Sequence, residues 1–445
     1  MTAYWCELAW LGGDAAEPGV VVEVEGDRFT LVEPGAAAPP PGATRLEGLT
    51  IPGLANAHSH AFHRALRGRA EGGRGSFWSW RETMYGLAAA LDPDSCHALA
   101  RATFAEMALA GITAVGEFHY LHHGPGGAPY DDPNEIGRAL VAAAGEAGIR
   151  ITLLDACYLQ AGPGLQLERD QLRFGDVGVE EWAQRVEALG ELGPAARVGA
   201  AIHSVRAVDP SSAASVAAWA EGRSCPLHAH VSEQPAENEA CLAAHGLTPT
   251  GVLDQAGALG KRFTAVHFTH VSDSDVDLLG GAGAHCCLCP TTERDLADGI
   301  GRARAIADAG ARLTLGSDSQ AVIDHFEEMR AVELDQRLAT GERGHHTAPE
   351  LLRAACEHGH AGIGWAEAGR IEAGAVADLV TVSLDGVRLA GATDDQALEA
   401  LAFAATAADV RQLIAGGRVV VRDGRHSEID VAAELRAAIE AVTAR

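Results

Sequence analysis

The stretch Ile51–His63, IPGLANAHSHAFH, carries two histidines, His58 and His60, at the end of a short apolar run. In a β-strand, residues two apart point to the same side. If this run is a strand, both imidazoles project from one face at its C-terminal end, where they suit zinc or another divalent first-row metal. A lone His-x-His pair is also what two polar loop residues look like. Later apolar runs strengthen the metal reading by ending in residues of the same kinds. Glu117 and His119 close one run, and His203 closes another with Arg206 close behind. His228 and His230 lie in a third, followed by Glu233; His267 and His270 end the next, and Asp318 ends the last.

A zinc site used for hydrolysis needs protein ligands and an open position for water. His58, His60, His230 and Asp318 supply three imidazoles and a carboxylate. A metal so held would lower the pKa of water to about 7. Asp318, in GSDS, can touch the metal and accept the water's proton, and His267 can orient that water. Glu233 can carry a proton to a leaving nitrogen, which is general acid–base work. Taken singly, each has a plainer reading. Glu233 in SEQPAENE is then a carboxylate at a helix N-terminus, and Asp318 a turn residue. His228 is then a packed strand residue, and His122, His123 and His270 belong to loops.

Barrels that hold two metals commonly bridge them with a carboxylated lysine on a middle strand. The only lysine here, Lys261, falls at the start of the sixth apolar run, the wrong end for that task. The expectation is one divalent metal, taken to be zinc.

The elements that must position these residues follow from pattern. From Ile51 onward, short apolar runs alternate with Ala-rich helical stretches, which argues for βα units around a parallel sheet. Eight candidate strands are Ile51–Ala57, Ile112–Phe118, Ile151–Ala156, Val198–His203, Pro226–Val231, Phe263–His267, Ala284–Leu288 and Leu313–Ser317. Between them fall helical candidates such as Asp94–Ala110, Glu135–Ala147 and Glu237–His245. Eight units close a (β/α)₈ TIM-like barrel, whose active sites lie at the C-terminal face. An open doubly wound sheet is the alternative, but no GxGxxG or Walker fingerprint follows an early strand. Residues 1–50, with Val20–Val24 and Phe29–Val32 as strands, read as one part of a β domain. The barrel takes 51–370. Residues 371–445, with Asp378–Ser383, Arg418–Arg422 and a terminal helix Asp430–Arg445, return to β character. Both chain ends are expected to join in a small discontinuous β-sandwich.

The chain has 445 residues, 47% of them hydrophobic, enough for a large core. Its formal charge of −27 argues against nucleic acid and anionic membrane as partners. An anionic substrate would approach against that field, so its pocket would need arginines. Nine cysteines, an odd number, do not resemble a secreted disulfide framework. Cys286, Cys287 and Cys289 in HCCLCP read as two buried strand cysteines and one loop cysteine. No membrane span and no signal peptide are expected, which places the protein in the cytoplasm.

Together these residues resemble the amidohydrolase superfamily over about residues 45 to 385. The carrying motifs are HSH, His230-x-x-Glu233, VHFTH and GSDS. Within it, GEFHYLHH (Gly116–His123), FWSWRETMY (Phe77–Tyr85), HSVRAV (His203–Val208) and CPTTERDLADG (Cys289–Gly299) resemble the formimidoylglutamate deiminase family. The resemblance implies hydrolysis of N-formimino-L-glutamate to N-formyl-L-glutamate and ammonia, in histidine degradation, with one zinc ion and a homodimer. It implies His58, His60, His230 and Asp318 as ligands and Glu233 and His267 as proton handlers. It implies Arg81, Tyr120, Arg206 and His203 as the binding groups for a small dicarboxylate. Where that family commonly has Gln, this chain has His63, still a hydrogen-bond donor but shorter and titratable. Two other readings stand beside this one. A zinc deaminase of an aminopurine, pyrimidine or other heterocycle would use the same ligands. A catalytically silent metal-binding protein would not need Glu233 and Asp318.

Overall fold

The computed structural model describes residues 1–70, 72, 75 and 77–444. Four strands open the chain: β1 (Thr2–Ala9), β2 (Glu17–Glu25), β3 (Arg28–Glu33) and β4 (Thr44–Pro52). The barrel strands follow as β5 (Leu54–Ser59), β6 (Ile112–His119), β7 (Arg150–Cys157), β8 (Ala196–Ile202), β9 (Leu227–Val231), β10 (Phe263–His267), β11 (His285–Leu288) and β12 (Arg312–Leu315). Helices α1 (Phe77–Ala90) and α2 (Pro93–Leu109) separate β5 from β6. After these come α3 (Glu135–Glu146), α4 (Val179–Glu187), α5 (Pro210–Arg223), α6 (Pro235–His245), α7 (Pro249–Gln255), α8 (Asp273–Gly281), α9 (Pro290–Asp295), α10 (Ala303–Asp308) and α11 (His325–Thr340). Strands β13 (Leu379–Val382), β14 (Val410–Ala415), β15 (Arg418–Arg422) and β16 (Arg425–His426) complete the set.

Strands β5 to β12 pair in parallel, in chain order. The first and last meet through a Ser59–Asp318 bridge, with His60 N to Asp318 O at 3.1 Å and Asp318 N to His58 O at 3.0 Å. The result is the expected (β/α)₈ TIM-like barrel, wrapped by helices whose buried alanines and leucines form the main core. Gly316 makes the closing seam possible. A Cβ there would meet His58 Cβ at 2.8 Å and His58 O at 2.9 Å.

The second sheet has the order β16-β15-β14-β13-β4-β1-β2-β3, so both chain ends build it. It curls back on itself: Phe29 N donates to Ala375 O at 3.0 Å and Ala377 N to Asp27 O at 2.8 Å. Val20, Val22, Phe29, Leu46, Leu379 and Ile414 fill its interior.

The first barrel strand begins later than expected. Ile51 and Pro52 end β4, paired with Val380 and Leu379 of the second sheet. The chain crosses to the barrel at Gly53, where a Cβ would lie 2.3 Å from Thr113 Oγ1. An apolar run alone does not show that it serves two sheets. The terminal helix runs Val431–Thr443, and the expected end at Arg445 lies outside the described residues. Strands β1 and β14 and helix α1 were not read from the sequence. Cys286 and Cys287 are buried in β11 and Cys289 just beyond it, all three as free thiols. Lys261 is exposed, two residues before β10.

Candidate active site

The C-terminal ends of β5, β9, β10 and β12 converge on one point. His58 ends up fully buried next to Asp318, with Nε2 to Oδ1 at 3.1 Å. His60 Nε2 reaches the same oxygen at 3.4 Å. His230 Nε2 lies 3.2 Å from His58 Nε2. His60 and His230 each turn Nδ1 to a main-chain carbonyl at 2.9 Å, of Phe118 and of His203 respectively. That contact puts the hydrogen on Nδ1 and leaves Nε2 as a lone pair. Burial is the main cause that holds the pKa of His58, His60 and His230 well below 6.5, so all three are neutral. Bare nitrogens facing a carboxylate at these distances repel unless a cation lies among them, which is the donor set of a divalent metal site.

Donor atoms of His58, His230, His267 and Asp318 all lie within 4.8 Å of one another. His267, expected as a proton handler, therefore stands inside the donor cluster, while His60 joins it through Asp318. Burial works against the charge on Asp318, but His267 foremost opposes it, and the pKa is lowered. His267 Nε2 lies 3.8 Å from Glu233 Oε1 and 4.0 Å from Asp318 Oδ2. Burial disfavours its charge too, yet Glu233, Glu293 and Asp318 hold its pKa well above 6.5. Glu233 is buried, which raises its pKa, with His267 and Arg206 partly opposing. The backbone is strained around this rim. Ser232, His267, Phe268, Asp318 and Gln320 have φ of 54°, 67°, 56°, 41° and 61°, a region that few non-glycine residues enter.

A cavity of about 320 Å³ opens beside the cluster, lined by His60, His203, His230, Glu233, His267 and Asp318 and also by Arg81, Arg206, His63 and Tyr120. All the site residues named from sequence therefore come together. Arg81, on α1, donates from Nε to Tyr85 OH at 2.5 Å and stacks over Trp78 and Tyr85. Arg206 lies 3.5 Å from Glu233 and 3.9 Å from Glu237. His63 Nε2 meets Tyr120 OH at 2.9 Å, and burial lowers its pKa to about 4. His203 is likewise held neutral, chiefly by burial.

Sequence reasoning missed the aromatic wall of Trp80, Tyr85, Tyr158 and Phe174. The spacing of Phe77, Arg81, Met84 and Ala88 carries the helical period that would have revealed α1. It also missed Glu237 and Glu293. Glu117 holds the His58–His60 turn from the next strand: it accepts from Ser59 Oγ at 2.6 Å and from Ala61 N at 2.7 Å. His228 is a packed strand residue, with Nε2 on Gly362 O at 3.0 Å. A second group, His119, His122 and Asp155, also has donor atoms within 4.8 Å. There Arg185 donates to both Asp155 oxygens, at 2.8 and 2.9 Å, so a guanidinium already neutralises that carboxylate.

A barrel with this cluster at its C-terminal rim defines a metal-dependent hydrolase. The sequence pattern of the Amidohydrolase family matches residues 49–420. The chain is 38% identical over 399 residues to the formimidoylglutamate deiminase of Pseudomonas aeruginosa, covering 87% of each protein. It is 30% identical over 394 residues to the 5-methylthioadenosine/S-adenosylhomocysteine deaminase of Natronomonas pharaonis, covering 88% of this chain and 85% of that protein. A crystal structure of an amidohydrolase from Brucella melitensis superposes with a TM-score of 0.92 at 33% identity, over 99% of this chain and 100% of that one. The chain belongs to the amidohydrolase family and is a hydrolase acting on C–N bonds.

Proposed function

We propose that the protein hydrolyses N-formimino-L-glutamate to N-formyl-L-glutamate and ammonia, as a step of histidine degradation, with one zinc ion and as a homodimer. The observation that carries this reading is that two guanidinium groups, Arg81 and Arg206, line the cavity that also holds the metal cluster. In a chain of net charge −27, a dicarboxylate needs such partners. Similarity to the Pseudomonas aeruginosa deiminase supports the same substrate.

His58, His60, His230 and Asp318 would hold the zinc, which when bound lowers the pKa of water to about 7. Arg81 and Arg206 grip the two carboxylates and fix the formimino carbon over the cluster. Asp318 accepts a proton from the attacking water as its oxygen bonds to that carbon. His267 orients the same water. Glu233, whose burial favours the protonated form, gives a proton to the departing nitrogen. The nitrogen takes a second proton, the one Asp318 received, and the C–N bond breaks. Ammonia leaves, while the hydroxyl on the carbon closes to the formyl C=O and returns its proton to Glu233.

A second reading has its own support. The aromatic wall could stack a heterocycle, and the Natronomonas pharaonis relative is named as a 5-methylthioadenosine/S-adenosylhomocysteine deaminase. Arg206→Met separates the two. Charge-assisted hydrogen bonds contribute about 1.5–3 kcal/mol, so kcat/KM for N-formimino-L-glutamate should fall roughly 10- to 150-fold. Ammonia release from this substrate should vanish on chelation and return with zinc. Release from aminopurines but not from N-formimino-L-glutamate would replace the first reading with the second.

A further inference from the structure

The segment Cys289–Gly299 lies beside the site without entering the reaction described above. It is fastened to the loops that carry both proton handlers. Asp298 takes the side-chain amide of Gln234, the neighbour of Glu233, and its main-chain oxygen lies 2.7 Å from His270 Nε2. Glu293, on the first turn of α9 and 5% exposed, accepts the main-chain N–H of Cys289 on Oε1 at 2.9 Å. The same oxygen lies 3.4 Å from Nδ1 of His267. The helix itself is anchored by the buried Glu328 on α11, which accepts from Thr291 N at 3.0 Å and from Thr291 Oγ1 at 2.5 Å.

An oxygen that already takes one N–H acts here as an acceptor, so Nδ1 of His267 carries the hydrogen whether the ring is neutral or charged. The other nitrogen, Nε2, is then the one turned to Glu233 and Asp318. His267 sits at a left-handed φ of 67°, so its backbone limits where the ring can go, but rotation about the side chain would still exchange the two nitrogens.

We propose that Glu293 is a positioning residue for the reaction: it holds Nδ1–H of His267 so that Nε2 faces Glu233 and Asp318. The proposal rests on the reading that His267 handles a proton. A competing role exists in the same atoms, because His267, Cys289 and Glu293 have donor atoms within 4.8 Å of one another and could take a cation.

Two variants of the full, metal-replete chain separate these roles. Glu293→Leu removes the acceptor, whereas Glu293→Gln keeps a carbonyl oxygen in its place. Partners that orient histidines at metal sites are worth about 10- to 100-fold. Glu293→Leu should therefore lower kcat by about that factor with KM and metal-to-chain ratio unchanged, and Glu293→Gln should restore most of it. In protein labelled with ¹⁵N-histidine, the signal that disappears in His267→Asn should report a hydrogen on Nδ1, slow to exchange in the wild type and fast in Glu293→Leu. Equal kcat losses in the Leu and Gln variants would overturn the proposal. So would a fall in metal content with Glu293→Leu, or a wild-type His267 with its hydrogen on Nε2 alone. If Glu293→Leu does not fold, the wild-type nitrogen spectrum and the Gln variant decide. A wild type that releases no ammonia from N-formimino-L-glutamate would end the substrate reading, while the nitrogen spectrum still decides the role of Glu293.

Discussion

His230 shows how one side chain can serve two strands. Its Nδ1 is committed to the carbonyl of His203, past the end of β8, and its Nε2 to the cluster. Replacing it with Ala removes one imidazole from the donor cluster and leaves His58, His60 and Asp318 in place. His230→Ala should lose its bound metal and at least about 100-fold in turnover, more than the loss of an orienting partner would cost. Metal analysis together with ammonia release reads both. A variant that keeps metal and activity would falsify the ligand assignment. This part of the site was legible from sequence because imidazoles and carboxylates at strand ends are chemically conspicuous. Glu293 was not legible: nothing in CPTTERDLADG singles out one carboxylate, and its partner lies 26 residues away in sequence.

Among the elements, the seam between β5 and β12 does most to shape the site. Asn56 exchanges hydrogen bonds with Ser317, accepting from its N at 2.9 Å and donating to its Oγ at 2.6 Å. Gln320 links Ser317 Oγ to Ser59 Oγ, at 2.8 Å on each side, and Ser59 passes the chain on to Glu117. Burial lifts the Glu117 pKa to about 8, with the bonds from Ser59 and Ala61 opposing. Between about pH 4.5 and 8, the unfolded chain gives up this proton while the folded chain keeps it. Stability therefore falls as pH rises through that window. Glu117→Gln removes the group, so its stability relative to wild type should rise from pH 5 to pH 8, by up to about 1.4 kcal/mol per unit. Denaturant melts of metal-replete protein at the two pH values check this; parallel curves would remove Glu117 as the cause. The strand order could be read from the alternation of apolar runs with helices. The crossing at Gly53 could not, because β4 and β5 are both apolar and only the missing side chain marks where one sheet hands over to the other.

At the scale of the whole molecule, a buried ion pair ties the second sheet to the barrel. Arg150, on β7, donates from Nη1 to Asp378 Oδ1 at 3.0 Å and from Nη2 to its other oxygen. Thr113 and Gly416 also donate to the carboxylate, at 3.0 and 2.8 Å, and His360 Nε2 lies 3.7 Å from it. Burial disfavours charge on Asp378, but Arg150 outweighs it and lowers the pKa. Its contribution is present above the ordinary aspartate range and is lost as pH falls through the lowered value. Asp378→Ala leaves a buried guanidinium without its partner and should cost about 3–5 kcal/mol, read as a lower denaturant midpoint at neutral pH. That linkage was invisible in sequence, since its two charges lie 228 residues apart. Among the described residues, no helix is long and apolar enough to cross a membrane.

Lys261 offers a practical handle. As the chain's only lysine, exposed at the foot of β10, it gives amine-directed reagents a single side chain to attack. Coupling there would tether each molecule by its underside, leaving the mouth of the barrel facing the solution.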